Sequence, residues 1–210
     1  MEQKEIESIL NGRNSSPKID LIWSYDFNDT YDDFYLKFLL DFDYDRHDKL
    51  LASYVIDIAY YKKIDNELLY KRLKKHLTGK CHWLVKLSVL DYFKFMSYKL
   101  TEKETEQIVR HDRYLKAVLK IEILLYAIRF YPEKYKSKML IPLIKGTNDY
   151  IAYIRLFKGL EQLLENGCRI DFKLLSGAFN KDIITMKSVK PHFMDFQKAW
   201  KESNRKKKRF

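Results

Sequence analysis

Four long apolar segments recur along the chain at a nearly constant spacing, and this recurrence limits the folds that are available to it. Successive segments begin 32, 32 and 35 residues apart, near Leu51, Trp83, Leu115 and Tyr150. A shorter, more polar helical segment follows each of them, at residues 65–77, 101–110, 136–145 and 171–179. Helix pairs that repeat at such a period bury their apolar faces by stacking on neighbouring pairs. The pattern therefore predicts an all-α fold, a short α-solenoid of about four helical pairs.

Local signals mark the ends of these helices. Thr101 and Glu104 have the spacing of a capping box, in which each side chain accepts a bond from the other residue's amide. Three other predicted N-caps are Asp65, Asp171 and either Asn148 or Asp149. Gly79 and Gly146 lie where helices should end. Because the chain has only 6 glycines and 4 prolines, its composition excludes collagen-like chains and disfavours turn-rich β architectures.

The chain is predicted to form one domain over residues 1–210. Its parts are an acidic N-terminal cap (1–47), the repeats (48–180), a C-terminal helix (181–201) and a basic tail (202–210). Within the cap we expect a helix over 2–10, a loop around 11–17 and a second helix over 29–43. The inward side chains of that second helix are predicted to be Phe34, Phe38, Leu39 and Phe42. The basic tail is expected to fray.

Charge is distributed unevenly between the N-terminal segment and the rest of the chain. Residues 1–50 hold 6 basic and 12 acidic side chains, whereas residues 51–210 hold 34 and 17, for a net charge of +11. The acidic segment either packs on the basic body and shields it, or forms a second contact surface. The net positive charge favours an acidic partner.

The sequence predicts a cytoplasmic protein with reduced thiols. It has two cysteines, Cys81 and Cys168, which are too few for a small disulfide scaffold. Its first residues are acidic and polar, unlike those of a signal peptide. Charged residues interrupt every apolar stretch before it reaches about 18 residues, so no transmembrane helix is expected.

Over about residues 48–180 the chain resembles the HEAT and armadillo families of helical repeats, in its period and in its alternation of long and short segments. That resemblance implies a fold that presents a binding surface to a macromolecule. An irregular helical bundle with accidental spacing is the alternative. Small helical proteins of this build also resemble bacterial toxin-immunity proteins and adaptor proteins. A resemblance to bacterial alkylpurine glycosylases would make Trp83, Asp91 and Tyr92 the nearest analogues of that family's aspartate and its flanking aromatic residues.

An acidic residue recurs at an equivalent position in the four long segments. Its four occurrences, called the acid series below, are Asp57, Asp91, Glu122 and Glu161. Equivalent positions of stacked repeats lie on one face, so the acid series and Tyr92 are predicted to bind basic side chains of a protein partner. Alternatively, each acid pairs with a cation of a neighbouring helix, because a buried carboxylate without a cation is costly. The candidate cations are Lys62, Lys86, Lys120 and Arg155.

Basic residues also recur at helical spacing. One stripe consists of Arg110, Arg113, Lys116 and Lys120, and a second cluster of Lys71, Lys74 and Lys75. Such stripes can follow a phosphate backbone, and nearby aromatics could stack on bases, namely Tyr70, Tyr92 and Tyr114. The alternative is that these residues form ordinary solvated helix faces.

The sequence contains no established catalytic motif. It has no phosphate-binding glycine loop, no dinucleotide-binding glycine pattern, no Gly-x-Ser-x-Gly elbow and no His-Glu-x-x-His pair. His76, Cys81 and His82 would hold a metal only with a fourth ligand from elsewhere. We therefore predict no catalytic residue, no cofactor and no metal.

The sequence favours a non-enzymatic helical-repeat protein that binds a macromolecular protein partner, with a toxin-immunity protein as one possibility. The alternative function is nucleic-acid binding through the basic residues, and an alkylpurine glycosylase-like enzyme is less favoured. The sequence predicts no membrane association and leaves the oligomeric state open.

Overall fold

The computed structural model of the protein describes residues 1–110 and 116–207. Within those ranges the regular elements are thirteen α-helices and one short 3-10 helix, with no strand, which confirms the predicted all-α class. None of the helices described combines the length and apolar composition needed to cross a bilayer. The contacts divide the chain into two compact units, Met1–Lys99 and Leu100–Phe210.

The first unit is built around two long helices that pack on each other. Its six helices are α1 (Gln3–Asn11), α2 (Ser15–Ser24), α3 (Asp32–Asp41), α4 (Lys49–Tyr61), α5 (Glu67–Thr78) and α6 (Trp83–Phe95). The long helices α4 and α6 contact each other, α5 packs on α6, and α2 and α3 cover α4. Lys62, which follows α4, binds the carboxylates of Asp29 and Asp32. Two acidic residues of the N-terminal segment therefore pair with one basic residue of this unit, and shielding of the basic body stays a prediction.

The second unit contains the other two predicted long helices. Its elements are α7 (Glu102–Arg110), α8 (Ala117–Phe130), a 3-10 helix (Ser137–Leu140), α9 (Ile141–Lys145), α10 (Tyr150–Glu165), α11 (Phe172–Ser176), α12 (Lys181–Thr185) and α13 (Lys190–Lys207). Helix α10 packs on both α8 and α13. Each unit thus packs successive long helices together, while the assembly of four pairs into one solenoid, and of the chain into one domain, stay predictions.

Helix α8 is buried around most of its circumference, as its apolar pattern indicates. Its buried residues include Leu119, Ile121, Glu122, Leu125 and Ile128, which point in different directions around the helix. It is covered by α7, by α10 and by the segment that forms the 3-10 helix and α9. Only a narrow part of the helix remains partly exposed, where Lys120 and Arg129 lie.

Three of the long helices end in the same turn. The second residue after the end of the helix adopts the left-handed conformation in each case, with φ of 51° at Lys63, 57° at Ser97 and 76° at Gly167. The following amide then bonds back across the turn, from Ile64 to Ala59, from Tyr98 to Phe93 and from Cys168 to Leu163. This bonding pattern is a Schellman motif. Its recurrence shows that α4, α6 and α10 share local geometry as well as an apolar pattern.

The predicted caps are mostly confirmed. Thr101 and Glu104 form the capping box, with bonds of 2.9 Å and 3.3 Å between side chain and amide. Asp149 and Asp171 cap α10 and α11. At α5 the cap is Asn66 instead of Asp65, because the Asn66 side chain accepts from the amides of Leu68 and Leu69. Asp65 instead accepts a bond from the Tyr98 hydroxyl.

The two ends of the chain differ from the sequence prediction. Helix α2 starts inside the predicted loop, and Pro17 is tolerated there because the first helical turn needs no donor from it. The predicted helix over 29–43 covers only Asp32–Asp41, with Phe38 and Leu39 buried and Phe34 half-buried. Helix α13 continues to Lys207, beyond the predicted end at residue 201. Neither Cys81, which is half-buried, nor Cys168, which is buried, forms a disulfide within the described part of the chain.

Candidate protein-binding surface

The first unit exposes four large aromatic side chains. Their exposed fractions are 71% for Trp23, 52% for Tyr61, 43% for Phe95 and 39% for Tyr60. Trp23 lies near the end of α2, the two tyrosines end α4, and Phe95 ends α6. Exposed aromatic side chains that cluster mark a surface used for binding more often than single exposed apolar residues do.

Ring contacts show that these aromatics are neighbours. The Tyr60 and Phe95 ring centroids are 4.4 Å apart, across the ends of α4 and α6. Trp23 meets the half-buried Tyr54 edge-to-face, with centroids 5.5 Å apart. Tyr54 and Tyr61 are seven residues apart on α4, so they lie on the same side of that helix. The aromatics therefore extend from α2 across α4 to α6.

Two members of the acid series belong to this surface. Asp57 precedes Tyr61 by four residues and Asp91 precedes Phe95 by four, so each acid lies beside an exposed aromatic of its own helix. Burial raises the pKa of the Tyr61 phenol, and the Asp57 carboxylate raises it further. Asp91 is half-buried and its carboxylate lies 3.0 Å from the Lys94 ammonium. We call this set the aromatic–acid face; its members are Trp23, Tyr54, Asp57, Tyr60, Tyr61, Asp91 and Phe95.

The prediction for the acid series has to be corrected at two positions. The Tyr92 side chain is completely buried in α6, and its hydroxyl donates to the carbonyl of Ile64. Glu122 is buried in α8 and bonded by Arg155 at 2.7 Å. Neither side chain is accessible to a partner, because both lie in helix faces that other helices cover. Burial of Tyr92 also removes one aromatic analogue of the glycosylase resemblance.

Glu161, the fourth member, lies half-buried on α10 among other acids. Burial raises the pKa of its carboxyl, and the nearby Glu165 and Asp195 carboxylates raise it further, while His192 lowers it. Asp57 and Asp91 belong to the first unit, and Glu122 and Glu161 to the second. A series of four exposed acids is therefore wrong, because Glu122 is buried. Two members of the acid series, Asp57 and Asp91, lie beside exposed aromatics in the first unit.

The cluster of basic residues on α5 borders a groove. Lys71 and Lys75 line a cavity of about 690 Å³ together with Arg72, His76, Lys80 and residues 43–45. The Lys71 ammonium lies 2.7 Å from the Glu67 carboxylate. Lys74 is not part of the lining, and its ammonium lies 5.5 Å from the centroid of the Tyr70 ring.

The other basic stripe is only partly described by the structure. Arg110 is ion-paired with Glu106 one turn earlier on α7. Arg110 and Lys120 both line a mostly apolar cavity of about 320 Å³ in the second unit, and Lys116 is exposed at the start of α8. Arg113 and Tyr114 lie outside the described residues.

The residues that could hold a metal differ from the set suggested by the sequence. The Nδ1 atom of His82 accepts a bond from the Leu84 amide and caps α6. The exposed Asp45 instead joins His76 and Cys81, and one ligand atom from each lies within 4.8 Å of the other two. Burial lowers the pKa of His76 and raises that of the Cys81 thiol.

The two units also differ in net charge. The first unit has 16 basic and 16 acidic side chains, whereas the second has 24 and 13. The second unit therefore carries the whole net charge of +11, and the aromatic–acid face belongs to a unit without net charge. The net charge of the chain consequently says little about the partner of that face.

No protein-family model, no curated protein and no solved structure matches the chain.

The exposed aromatics were not identified as site residues from the sequence. The signal that could have found them is the aromatic residue four positions after each acid, Tyr61 after Asp57 and Phe95 after Asp91. In the third long segment the signal is also present, but Tyr126, four positions after Glu122, is fully buried. The fourth segment lacks it, because Glu165 follows Glu161. Sequence spacing alone therefore does not separate the exposed pairs from the buried one.

Proposed function

We propose that the protein is a non-enzymatic binding protein whose aromatic–acid face holds a basic segment of a protein partner. The observation that carries this proposal is that exposed Tyr61 and Phe95 each lie one turn from a carboxylate, on helices that contact each other. Within the proposal, the helical pairs belong to a short HEAT-like solenoid, and a toxin-immunity protein is one kind of protein that would use such a face.

The chemistry of the face fits arginine or lysine side chains. Tyrosine and tryptophan are the aromatic residues that most often dominate binding energy at protein interfaces. Their ring faces attract cations, and a carboxylate beside the ring adds a charge-assisted hydrogen bond. A basic segment that crosses α4 and α6 would meet Asp57 and Asp91 in succession, with Tyr60, Tyr61 and Phe95 between or beside them.

The proposal can be tested with a display library of random short peptides selected on the immobilised protein. We expect the recovered peptides to be rich in arginine or lysine. The affinity of these peptides for the protein should fall at least tenfold, or about 1.4 kcal/mol, in each of two variants. One variant is Tyr61→Ala, and the other combines Asp57→Asn with Asp91→Asn. Tyr150→Ala, an exposed tyrosine of the second unit, is the matched control and should leave the affinity unchanged. Acidic peptides, or basic peptides that bind all variants equally, would overturn the proposal.

Nucleic-acid binding is the second candidate function, and the net charge of +11 on the second unit favours it. We would measure the anisotropy of labelled single-stranded and duplex oligonucleotides as salt is raised. If the logarithm of the affinity falls steeply and linearly with the logarithm of the salt concentration, the protein makes several phosphate contacts. The affinity should also fall when Arg113 and Lys116 are both changed to glutamate. Binding that disappears by about 0.15 M salt would contradict this function.

A further inference from the structure

We propose that Asp45, His76 and Cys81 form a zinc-binding site in the first unit, with a fourth coordination position open to an oxygen ligand. This site is separate from the aromatic–acid face and does not depend on the proposed function. It also departs from the expectation of no metal that the sequence alone supports.

The geometry of the three side chains fits a tetrahedral ion. The Nδ1 atom of His76 lies 3.8 Å from the Oδ1 atom of Asp45. The Cys81 Sγ atom lies within 4.8 Å of a ligand atom of each of these two residues. Zinc bonds of about 2.0–2.3 Å at tetrahedral angles separate ligand atoms by roughly 3.3–3.8 Å. Zinc binding would therefore require the three side chains to rotate until their ligand atoms meet at one ion.

The three ligands come from parts of the chain that the local structure brings together. His76 lies in the last turn of α5, and Cys81 follows in the short segment before α6. Gly79 ends α5, and a Cβ atom there would lie only 2.7 Å from the Lys75 carbonyl oxygen, so this close turn depends on glycine. Asp45 lies in a turn after α3. The Asp43 carboxylate stabilises this turn by accepting a 3.1 Å hydrogen bond from the Asp45 amide.

The donor types select the metal. A thiolate, an imidazole and a carboxylate form a mixed set that suits zinc, whereas calcium and magnesium prefer oxygen ligands throughout. The His76 ring also packs against the Tyr44 ring, with centroids 5.1 Å apart, which limits its rotation. His76 and Asp45 line the groove of about 690 Å³, so an exogenous oxygen ligand can reach the fourth position from solvent.

Basic side chains line the groove and influence which ligand takes the fourth coordination position. Lys71, Arg72, Lys75 and Lys80 all border the same cavity. Their positive charges oppose an additional bare cation and favour an anionic oxygen at the open position. We therefore expect zinc binding to be tighter in the presence of inorganic phosphate than in a non-coordinating buffer of equal ionic strength.

The experiment is a zinc titration of the full chain in competition with a chromogenic chelator. We expect the wild-type chain to bind one equivalent of zinc. Each of the variants Cys81→Ser, His76→Gln and Asp45→Asn should weaken zinc binding at least about tenfold. A loss of this size is the lower end of that seen when a residue that only supports a metal ligand is changed. The matched controls are Cys168→Ser and His82→Gln, which remove the same donor types elsewhere and should leave the affinity unchanged. Thermal melting of the metal-free variants shows whether each one folds.

Cobalt gives a second readout that does not depend on stability. The cobalt-loaded protein should show a thiolate-to-cobalt charge-transfer band in the near ultraviolet, which Cys168→Ser retains and Cys81→Ser loses. Less than one equivalent of bound zinc in the folded wild-type chain would overturn the site. A charge-transfer band that persists in the folded Cys81→Ser variant would overturn it as well.

Discussion

The Nε atom of Arg155 on α10 donates a 2.7 Å hydrogen bond to the Glu122 carboxylate on α8. The side chains are 26% and 3% exposed, so this ion pair lies largely inside the second unit. It joins two long helices at positions 33 residues apart in the sequence. The sequence analysis names Arg155 as one of the cations that could pair with the acid series inside the protein. At Glu122 the structure shows such an ion pair.

Removing Arg155 should destabilise the protein. Arg155→Ala removes a cation that binds a buried carboxylate, and we expect the free energy of unfolding to fall by about 3 kcal/mol. Chemical denaturation at neutral pH measures the change. Lys158→Ala, at an exposed position of the same helix, should change stability by less than about 0.5 kcal/mol. Adding Glu122→Gln to Arg155→Ala should restore part of the loss, and no restoration would contradict this explanation.

Asp29 should stabilise the first unit only while it is ionised. Burial alone raises the pKa of its carboxyl, but bonds from the Tyr31 amide, the Tyr35 and Tyr25 hydroxyls and Lys62 outweigh burial and lower the pKa below its ordinary value of 3.8. Because the folded-state pKa is depressed, this contribution is present above pH 3.8 and is lost as pH falls through the lower folded value.

We therefore expect Asp29→Asn to lower the free energy of unfolding by about 2 kcal/mol at neutral pH, and the difference from wild type to shrink below pH 3.8. Denaturation curves across this pH range measure it. Asp41→Asn, at an exposed position of α3, serves as the control and should have little effect. A difference for Asp29→Asn that is independent of pH would mean that charge is not the cause.

Glu161→Gln should stabilise the protein at neutral pH. Burial and the Glu165 and Asp195 carboxylates raise the pKa of Glu161, so its ionised form costs stability above the raised pKa. Removing the charge should gain about 0.2–0.5 kcal/mol, the size of a like-charge pair one helical turn apart. The gain should fade as pH falls towards 4.5, because the wild-type carboxyl then takes up its proton in the folded state. Glu133→Gln, at an almost fully exposed position, should show no such fading in the same denaturation series.

Gly167→Ala should destabilise the protein through the backbone alone. Gly167 has a φ of 76°, and no atom lies within 4 Å of the position that a Cβ would take. The left-handed conformation costs an alanine roughly 1 kcal/mol, which calorimetry or denaturation would detect. Gly177→Ala is the matched control, since its φ is −69° and its nearest neighbour would lie at 3.7 Å. Equal effects at the two glycines would contradict this explanation.

The sequence by itself determined the helices whose signals are local. The long segments appear as α4, α6, α8 and α10 because apolar period and capping residues act within a few turns of the same helix. Helix α2 was missed because Pro17 suggested a loop, although proline is compatible with a first turn. The left-handed residues Lys63 and Ser97 gave no signal either, because the Schellman turn tolerated residues other than glycine there.

Tertiary structure alone decided the roles of the acids and of the metal-site residues. Asp57, Asp91 and Glu122 occupy equivalent sequence positions, yet only the first two lie beside exposed aromatics, because α8 is covered on opposite sides by other helices. Asp45, His76 and Cys81 come together through the turn at Gly79 and the packing of α3 on α5. The burial of a side chain and its contacts with distant residues depend on which helices pack together. The apolar period of a single helix does not predict that packing, because it depends on the whole unit.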